Sequence, residues 1–230
     1  MPGNIRCNRI IHYRSKEPGD KRHPTIPGYV NVNVTSGNSK WKGLSPMKIG
    51  PCTFKEIILP MTWYPSGIHP GFADNGDGYQ VATSMNFENF WQGSKIMDVD
   101  LDASGNIQPS FFERRAKMMR DPQPHRRALP KAKGKPISAY FNGALYDYIQ
   151  SRPIYCDLYA AYASETPEYK ELVRLRDSGV NLHIIGYDGL DTEVNEDTMM
   201  KAFLDPARPF GHELVLSCML KDIAPWRNLP

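Results

Sequence analysis

The chain has few cysteines, no long apolar run and no clustered metal ligands, and each shortage removes a class of function. Cys7, Cys52, Cys156 and Cys218 lie far apart with no C-x-x-C pair, so reduced thiols are expected rather than a disulfide framework or a zinc site. No stretch approaches the roughly 18 continuous apolar residues of a membrane span. The stretch from Met1 to Arg6 lacks the apolar core of a secretory leader. Asp74-Asn75-Gly76-Asp77-Gly78 lacks the spaced carboxylates and closing Glu of an EF-hand, and reads as a turn. The expectations are a cytoplasmic protein with no metal, no cofactor and no membrane partner.

What is present reads as one globular chain. Its 230 residues are 40% hydrophobic and 23% charged, enough for a sizeable core. Charge is distributed unevenly. Between Arg114 and Pro136 stand nine of the 28 basic residues, opposed only by Asp121, and the remainder is net acidic. Such local positive charge suits a phosphate-bearing partner, while a solvated basic loop remains the competing reading.

Residues 1–28 are polar and broken by Pro18-Gly19 and by Pro24 through Gly28, an irregular lead-in. The alternation from Tyr29 to Val34 predicts a strand, with Thr35 to Ser39 as a turn; Phe54 to Leu59 reads as a second strand. Pro60 to Gly78 is a long loop carrying Trp63, Tyr64 and His69. Ser110 to Glu113 has capping-box spacing and predicts a helix through Arg120, stopped by Pro122. Ser138 to Ile149 reads as helical, with a further turn or two after Pro153. Thr166-Pro167 and Gly179 bound another helix. Leu182 to Ile185 is a short buried strand, and Phe210 to Ile223 a last helix with Leu214, Val215, Cys218, Met219 and Ile223 inward. The fold class is α+β: a mainly helical domain over residues 29–230 with a few short strands and a basic, Pro-rich insertion around 121–136.

Asn86 through Lys95 carries the most chemistry. Asn86 can cap a helix whose first turn holds Glu88, and Phe87, Phe90, Trp91 and Met97 would seat it on a core. On that helix Glu88, Gln92 and Lys95 share one face. Either they form a rigid polar site or they are a solvated Glu–Lys face.

Glu88-x-x-x-Gln92-x-x-Lys95 resembles the signature helix of the NADAR superfamily, which typically reads S-x-E-H-x-x-Q-A-x-K. Asn86 stands for its Ser, Asn89 for its His and Gly93 for its Ala. Leu44-Ser45-Pro46-Met47 occupies the place of the family's S-N-F segment, and Glu113 through Met118 looks like its following Arg/Ala-rich helix. Tyr187-Asp188-Gly189 sits where the family has a Trp-Gly-Asp-like loop, and Gly211 through Leu216 resembles its closing helix. The resemblance covers about residues 43–223 and implies a NADAR-like fold and N-glycosidase chemistry on NAD- or ADP-ribose-related substrates.

In that reading the substrate is a phosphate-containing nucleotide or an ADP-ribosylated molecule. Cleavage of a ribose N-glycosidic bond passes through an oxocarbenium-like transition state, which a carboxylate stabilises. Glu88 is the candidate; Asp188 would be a second carboxylate or simply a turn residue before Gly189. Lys95 would capture the sugar carbon as a Schiff base or activate water. Gln92 and Asn89 would orient the substrate. Trp63, Tyr64, Trp91 and Tyr187 would stack on its base, or serve the core. Arg114, Arg115, Arg126 and Arg127 offer paired donors for phosphate. His212 would contact phosphate or the leaving base, or be a structural histidine. The alternatives are a nucleic-acid-binding protein using residues 114–136 and a non-catalytic ADP-ribose or nucleotide sensor.

Overall fold

The computed structural model describes residues 32–36, 55–58, 83–125, 136–141, 144–179, 182–186, 189–190 and 192–227; for 33–36, 55–58, 83, 183 and 185 it describes the backbone alone. In chain order the elements are β1 (Val32–Ser36), β2 (Lys55–Ile58), β3 (Thr83–Asn86), α1 (Phe87–Gly93), β4 (Lys95–Ile96), α2 (Pro109–Arg120), β5 (Ser138–Phe141) and β6 (Ala144–Tyr146). There follow α3 (Arg152–Ser164), α4 (Pro167–Asp177), β7 (Leu182–Gly186), β8 (Thr192–Glu193), α5 (Glu196–Leu204) and α6 (His212–Leu220). This mixture of helix and sheet is compatible with the α+β class. Two compact units result, one from residues 51–151 and one from 1–50 with 152–230. The lead-in, the segment at Leu44, the loop carrying Trp63, Tyr64 and His69, and Cys7 and Cys52 lie outside the described residues.

In the unit of 51–151, β2 and β3 pair antiparallel, and β3 runs straight into α1. Asn86 ends the strand in an extended conformation, and its side-chain oxygen accepts from the Asn89 backbone N–H at 2.8 Å. α1 turns Phe87 and Phe90 fully inward. A three-stranded antiparallel sheet, β4-β5-β6, closes the unit. Its core joins Ile96, Phe111 and Tyr140, flanked by Leu101, Ile107 and Phe112.

Several expected boundaries move. The segment 138–149 holds a β5–β6 hairpin, not a helix, with Phe141 opposite Ala144. Ser138 and Ala139 pair with β4, and Tyr140 donates its N–H to the Ser94 carbonyl at 2.8 Å, so sheet partners decide a sequence of weak helical preference. Asn142-Gly143 between the strands is itself a hairpin signal. α2 begins one residue before Ser110, on Pro109, whose missing N–H costs nothing there, so the capping box at Ser110 is not used. β1 runs through Thr35 and Ser36, which were expected to turn, because β7 supplies parallel partners as far as Ser36 opposite Gly186.

In the other unit, β1 lies between β7, parallel, and β8, antiparallel. α3 is a full 13-residue helix rather than a turn or two. α4 is bounded as expected: the Thr166 hydroxyl accepts from the Tyr169 N–H at 3.1 Å, Pro167 opens the first turn, and Gly179 leaves it at φ 86°. α5 was not anticipated, although Asn195 and Thr198 form a reciprocal cap at its start. α6 is shorter than expected, since Asp222 at φ 54° turns the chain and the Ile223 N–H closes on the Cys218 carbonyl. All its residues but Met219 are buried, and it packs against β1, β7, α3 and α4. Cys156 and Cys218 are buried there as free thiols, and burial pushes both thiols up.

Glu213 on α6 is fully buried, and it fills the space a side chain at Gly186 would need: a Cβ there would stand 2.4 Å from its carboxyl carbon. A strand glycine often marks such an approach. Gly186→Ala is therefore expected to destabilise this unit by about 2 kcal/mol, the scale of overpacking a core. Urea denaturation checks it; an unchanged midpoint would show that Glu213 has room to move.

Candidate active site

The α1–β4 segment concentrates the candidate residues. Trp91 stacks on Phe141 with ring centroids 5.7 Å apart and lies half-buried, as do Glu88 and Gln92. α1 stops at Gly93, so Lys95 stands on β4 and not on the helix. The alignment survives that change. Neighbouring strand residues point to opposite faces, so with Ile96 buried in the core Lys95 turns the other way. Its ammonium donates to Gln92 Oε1 at 2.9 Å, and Gln92 Nε2 donates to Glu88 Oε1 at 2.9 Å. Lys95 Nζ also lies 5.8 Å from the centre of the Trp91 ring. One amide thus stands between an ammonium and a carboxylate. The amide is a donor toward the carboxylate and an acceptor toward the ammonium. Chemically, the group offers a negative charge for a developing cation, an ammonium or amine, and an aromatic face.

Arg114 and Arg115 face inward. Arg114 Nη2 donates to Asp100 Oδ2 at 2.5 Å and to the Lys95 carbonyl at 3.3 Å, and its guanidinium covers the Phe111 ring. Arg115 is 1% exposed, donates to Ser94 Oγ at 3.3 and 3.2 Å, and lies over Tyr140. Burial raises the Tyr140 phenol, and the Arg115 charge partly offsets that. Phe111, Arg115, Met118 and Met119 are the buried residues of α2, an i, i+4, i+7, i+8 stripe. The spacing that seats Arg115 in this stripe is readable in the sequence. Both arginines brace the junction from which Lys95 projects.

Asn89, fully buried, spends its amide on the chain after α2. Its Nδ2 donates to the Asp121 carbonyl at 2.8 Å and the Gln123 carbonyl at 2.9 Å, and its Oδ1 accepts from the His125 N–H at 2.7 Å. Asn86 adds a bond to the Asp121 carbonyl at 3.3 Å. Asp121 in turn accepts from the Gln123 N–H at 2.8 Å and meets His125 Nε2 at 2.7 Å; these contacts, His125 first, hold its carboxyl below the ordinary value of 3.8.

The remaining candidates lie elsewhere. Arg126, Arg127, Tyr187 and Asp188 are outside the described residues. His212 belongs to the other unit, buried on α6 with its ring 5.8 Å from that of Tyr159 and its Nδ1 3.4 Å from Glu213 Oε2. Burial, with the Glu213 charge, pushes the Tyr159 phenol well up. The sequence reading passed over Glu213, though a carboxylate among Leu214, Val215 and Leu216 was a visible exception. It also missed a cavity of about 470 Å³ in that unit, whose lining among the described residues includes none of the candidates. Among the described residues, no group of three or more His, Cys, Asp or Glu could hold a metal ion, and no helix is long and apolar enough to cross a membrane. Compared with protein-family models, curated proteins and solved structures, the chain matches none.

Two outcomes follow from the Asn89 contacts. Asn89→Ala strands the Gln123 carbonyl and the His125 N–H and leaves the Asp121 carbonyl only the longer Asn86 bond, and is expected to cost about 2 kcal/mol, within the roughly 1–3 kcal/mol range for unsatisfied buried groups. A loss under about 0.5 kcal/mol in urea melts would mean that the segment is held by other means. Because folding depresses the Asp121 carboxyl, its stabilisation is complete above the unfolded value and disappears as pH falls through the folded one. Asp121→Asn should therefore melt below wild type at pH 6, the two curves converging well below pH 4, as followed by thermal denaturation across pH. A constant gap would reject the ionised Asp121 as its source.

Proposed function

We propose that the protein is a metal-independent N-glycosyl hydrolase of NADAR-like type, cleaving a ribose N-glycosidic bond in a nucleotide-like substrate, with ADP-ribose conjugates as the leading class. The observation that carries this reading is the hydrogen-bonded line Glu88–Gln92–Lys95 beside the half-buried Trp91. In the reaction the bond from the sugar C1′ to the base nitrogen breaks, its electron pair leaves with the base, and the base takes up a proton. The Glu88 carboxylate stabilises the cationic sugar left behind, and water completes the hydrolysis at C1′. Gln92 fixes the separation of carboxylate and ammonium, and Trp91 offers a face for the base. Lys95 acts on the sugar carbon. As a free amine it attacks C1′, opening to an imine that water hydrolyses; otherwise it orients the attacking water. Borohydride distinguishes the two, because only the imine is trapped covalently.

The nucleic-acid reading keeps Lys117 and Arg120 exposed on α2, but Arg114 and Arg115 are taken up by internal contacts. A sensor would bind the same ligands without turnover. Chromatography of products from guanine-linked ADP-ribose, NAD and aminopyrimidine ribosyl phosphates, with EDTA present, separates these cases. Wild type is expected to release a free base or free ADP-ribose. Glu88→Gln and Lys95→Ala should each lower turnover by on the order of 10² or more with the fold intact, the scale of losing one electrostatic or acid–base group. No product from any substrate, or equal rates in all three proteins, rejects the assignment; tight binding without product identifies the sensor.

A further inference from the structure

Cleavage of the N-glycosidic bond needs a proton for the departing base, and neither Glu88 nor Lys95 supplies it: Glu88 acts as a carboxylate, and Lys95 acts at the sugar carbon. An acid–base group stands on the flank of the same helix. Asn89 and Gln92, three residues apart on α1, are neighbours on its surface. The segment that Asn89 grips therefore runs beside the Glu88–Gln92 face, and it reaches His125, whose N–H meets Asn89 Oδ1 at 2.7 Å. All of these residues belong to the unit of 51–151. Four residues before His125, Asp121 places its Oδ2 2.7 Å from the imidazole Nε2. Its carboxyl is held below the ordinary value, by His125 first and then by the Gln123 N–H. A carboxylate only accepts, so the proton of that bond is on Nε2. Among the described residues nothing bonds the other ring nitrogen, Nδ1. The His125 side chain is 22% exposed, open to a ligand while Asp121 and Asn89 hold its ring and its backbone.

Resting on the glycosidase reading, we propose that His125 is the general acid of the site and passes the Nδ1 proton of its imidazolium to the base as the base leaves. The C1′–N bond breaks, its electron pair stays on the base nitrogen, and that nitrogen takes the proton. His125 is left neutral, with its Nε2–H still on Asp121. The water that attacks C1′ sheds a proton, which restores the imidazolium and closes the cycle. Asp121 is a positioning residue: it orients the ring and stabilises the charged form. Asn89 fixes the backbone from which the ring projects, as an acid–base group on a rigid support requires. The consequence is a dependence on the leaving base. A pyridinium base, as in NAD, departs neutral and needs no proton. A base joined through a neutral nitrogen departs as an anion unless it is protonated, and that is the case His125 serves.

The test compares turnover of guanine-linked ADP-ribose with turnover of NAD by the full chain, with thermal melts to report whether each variant folds. His125→Gln should lower the ratio of the first rate to the second by on the order of 10², the scale of losing one general acid. Asp121→Asn should lower it by about tenfold, since the ring remains but loses its orienting charge. Glu88→Gln removes a charge that both substrates use, so it should slow both and leave the ratio within about threefold of wild type. Free imidazole added to His125→Ala should restore turnover of the guanine conjugate, which a merely structural loss would not allow. With wild type active, an unchanged ratio in folded His125→Gln, turnover of NAD alone, or no rescue by imidazole overturns the role of His125 and leaves the glycosidase reading standing. No product from wild type on either substrate overturns both.

Discussion

Ser94 is the joint on which the candidate site depends. Its backbone N–H and its hydroxyl both close on the Phe90 carbonyl, ending α1. The same hydroxyl accepts from Arg115, tying in α2, and its carbonyl accepts from the Tyr140 N–H, tying in β5. One buried serine thus fixes the direction in which the chain leaves the helix. With that direction set, Lys95 falls opposite the core residue Ile96 and reaches back to Gln92. Within the core, Ser94 Oγ and the face of Tyr140 meet the Arg115 guanidinium.

In the other unit the organising element is α6, hydrophobic nearly all round and enclosed by sheet and helices. Glu213 is its one carboxylate, housed where Gly186 leaves room. Contacts from α3 complete the frame: Arg152 gathers the carbonyls after α5, and Asp157 accepts from Trp226 Nε1 at 2.9 Å near the end of the described chain.

Elements with local punctuation were legible in the sequence. Asn86 starts α1, Thr166-Pro167 and Gly179 bracket α4, and the apolar run Leu182 to Ile185 is a strand. Where distant backbone groups decide, local pattern misled: the helical reading of 138–149 gave way to pairing with residues 94–96, which no local window contains. The site divides the same way. The Glu88–Gln92–Lys95 alignment was readable from spacing, though it arises from a helix followed by a strand. The inward turn of Arg114 and Arg115 was obscured by counting them in a charge run, when the stripe through Phe111 and Met118 already placed Arg115 in the core. Asn89 was read for substrate and is engaged by the chain itself, because its partners, at 121, 123 and 125, lie more than thirty residues away.

Asn86 and Asn89 grip the segment after α2 through main-chain carbonyls and one main-chain N–H. No side chain of Pro122, Gln123 or Pro124 takes part in that grip. The anchoring is therefore indifferent to side-chain identity at these three positions so long as the backbone keeps its path. Drift at them can alter the outer surface without loosening the tether. The same indifference makes the tether a natural graft point: a foreign peptide spliced in after His125 would inherit an origin fixed by Asn86, at the end of β3, and Asn89, on α1.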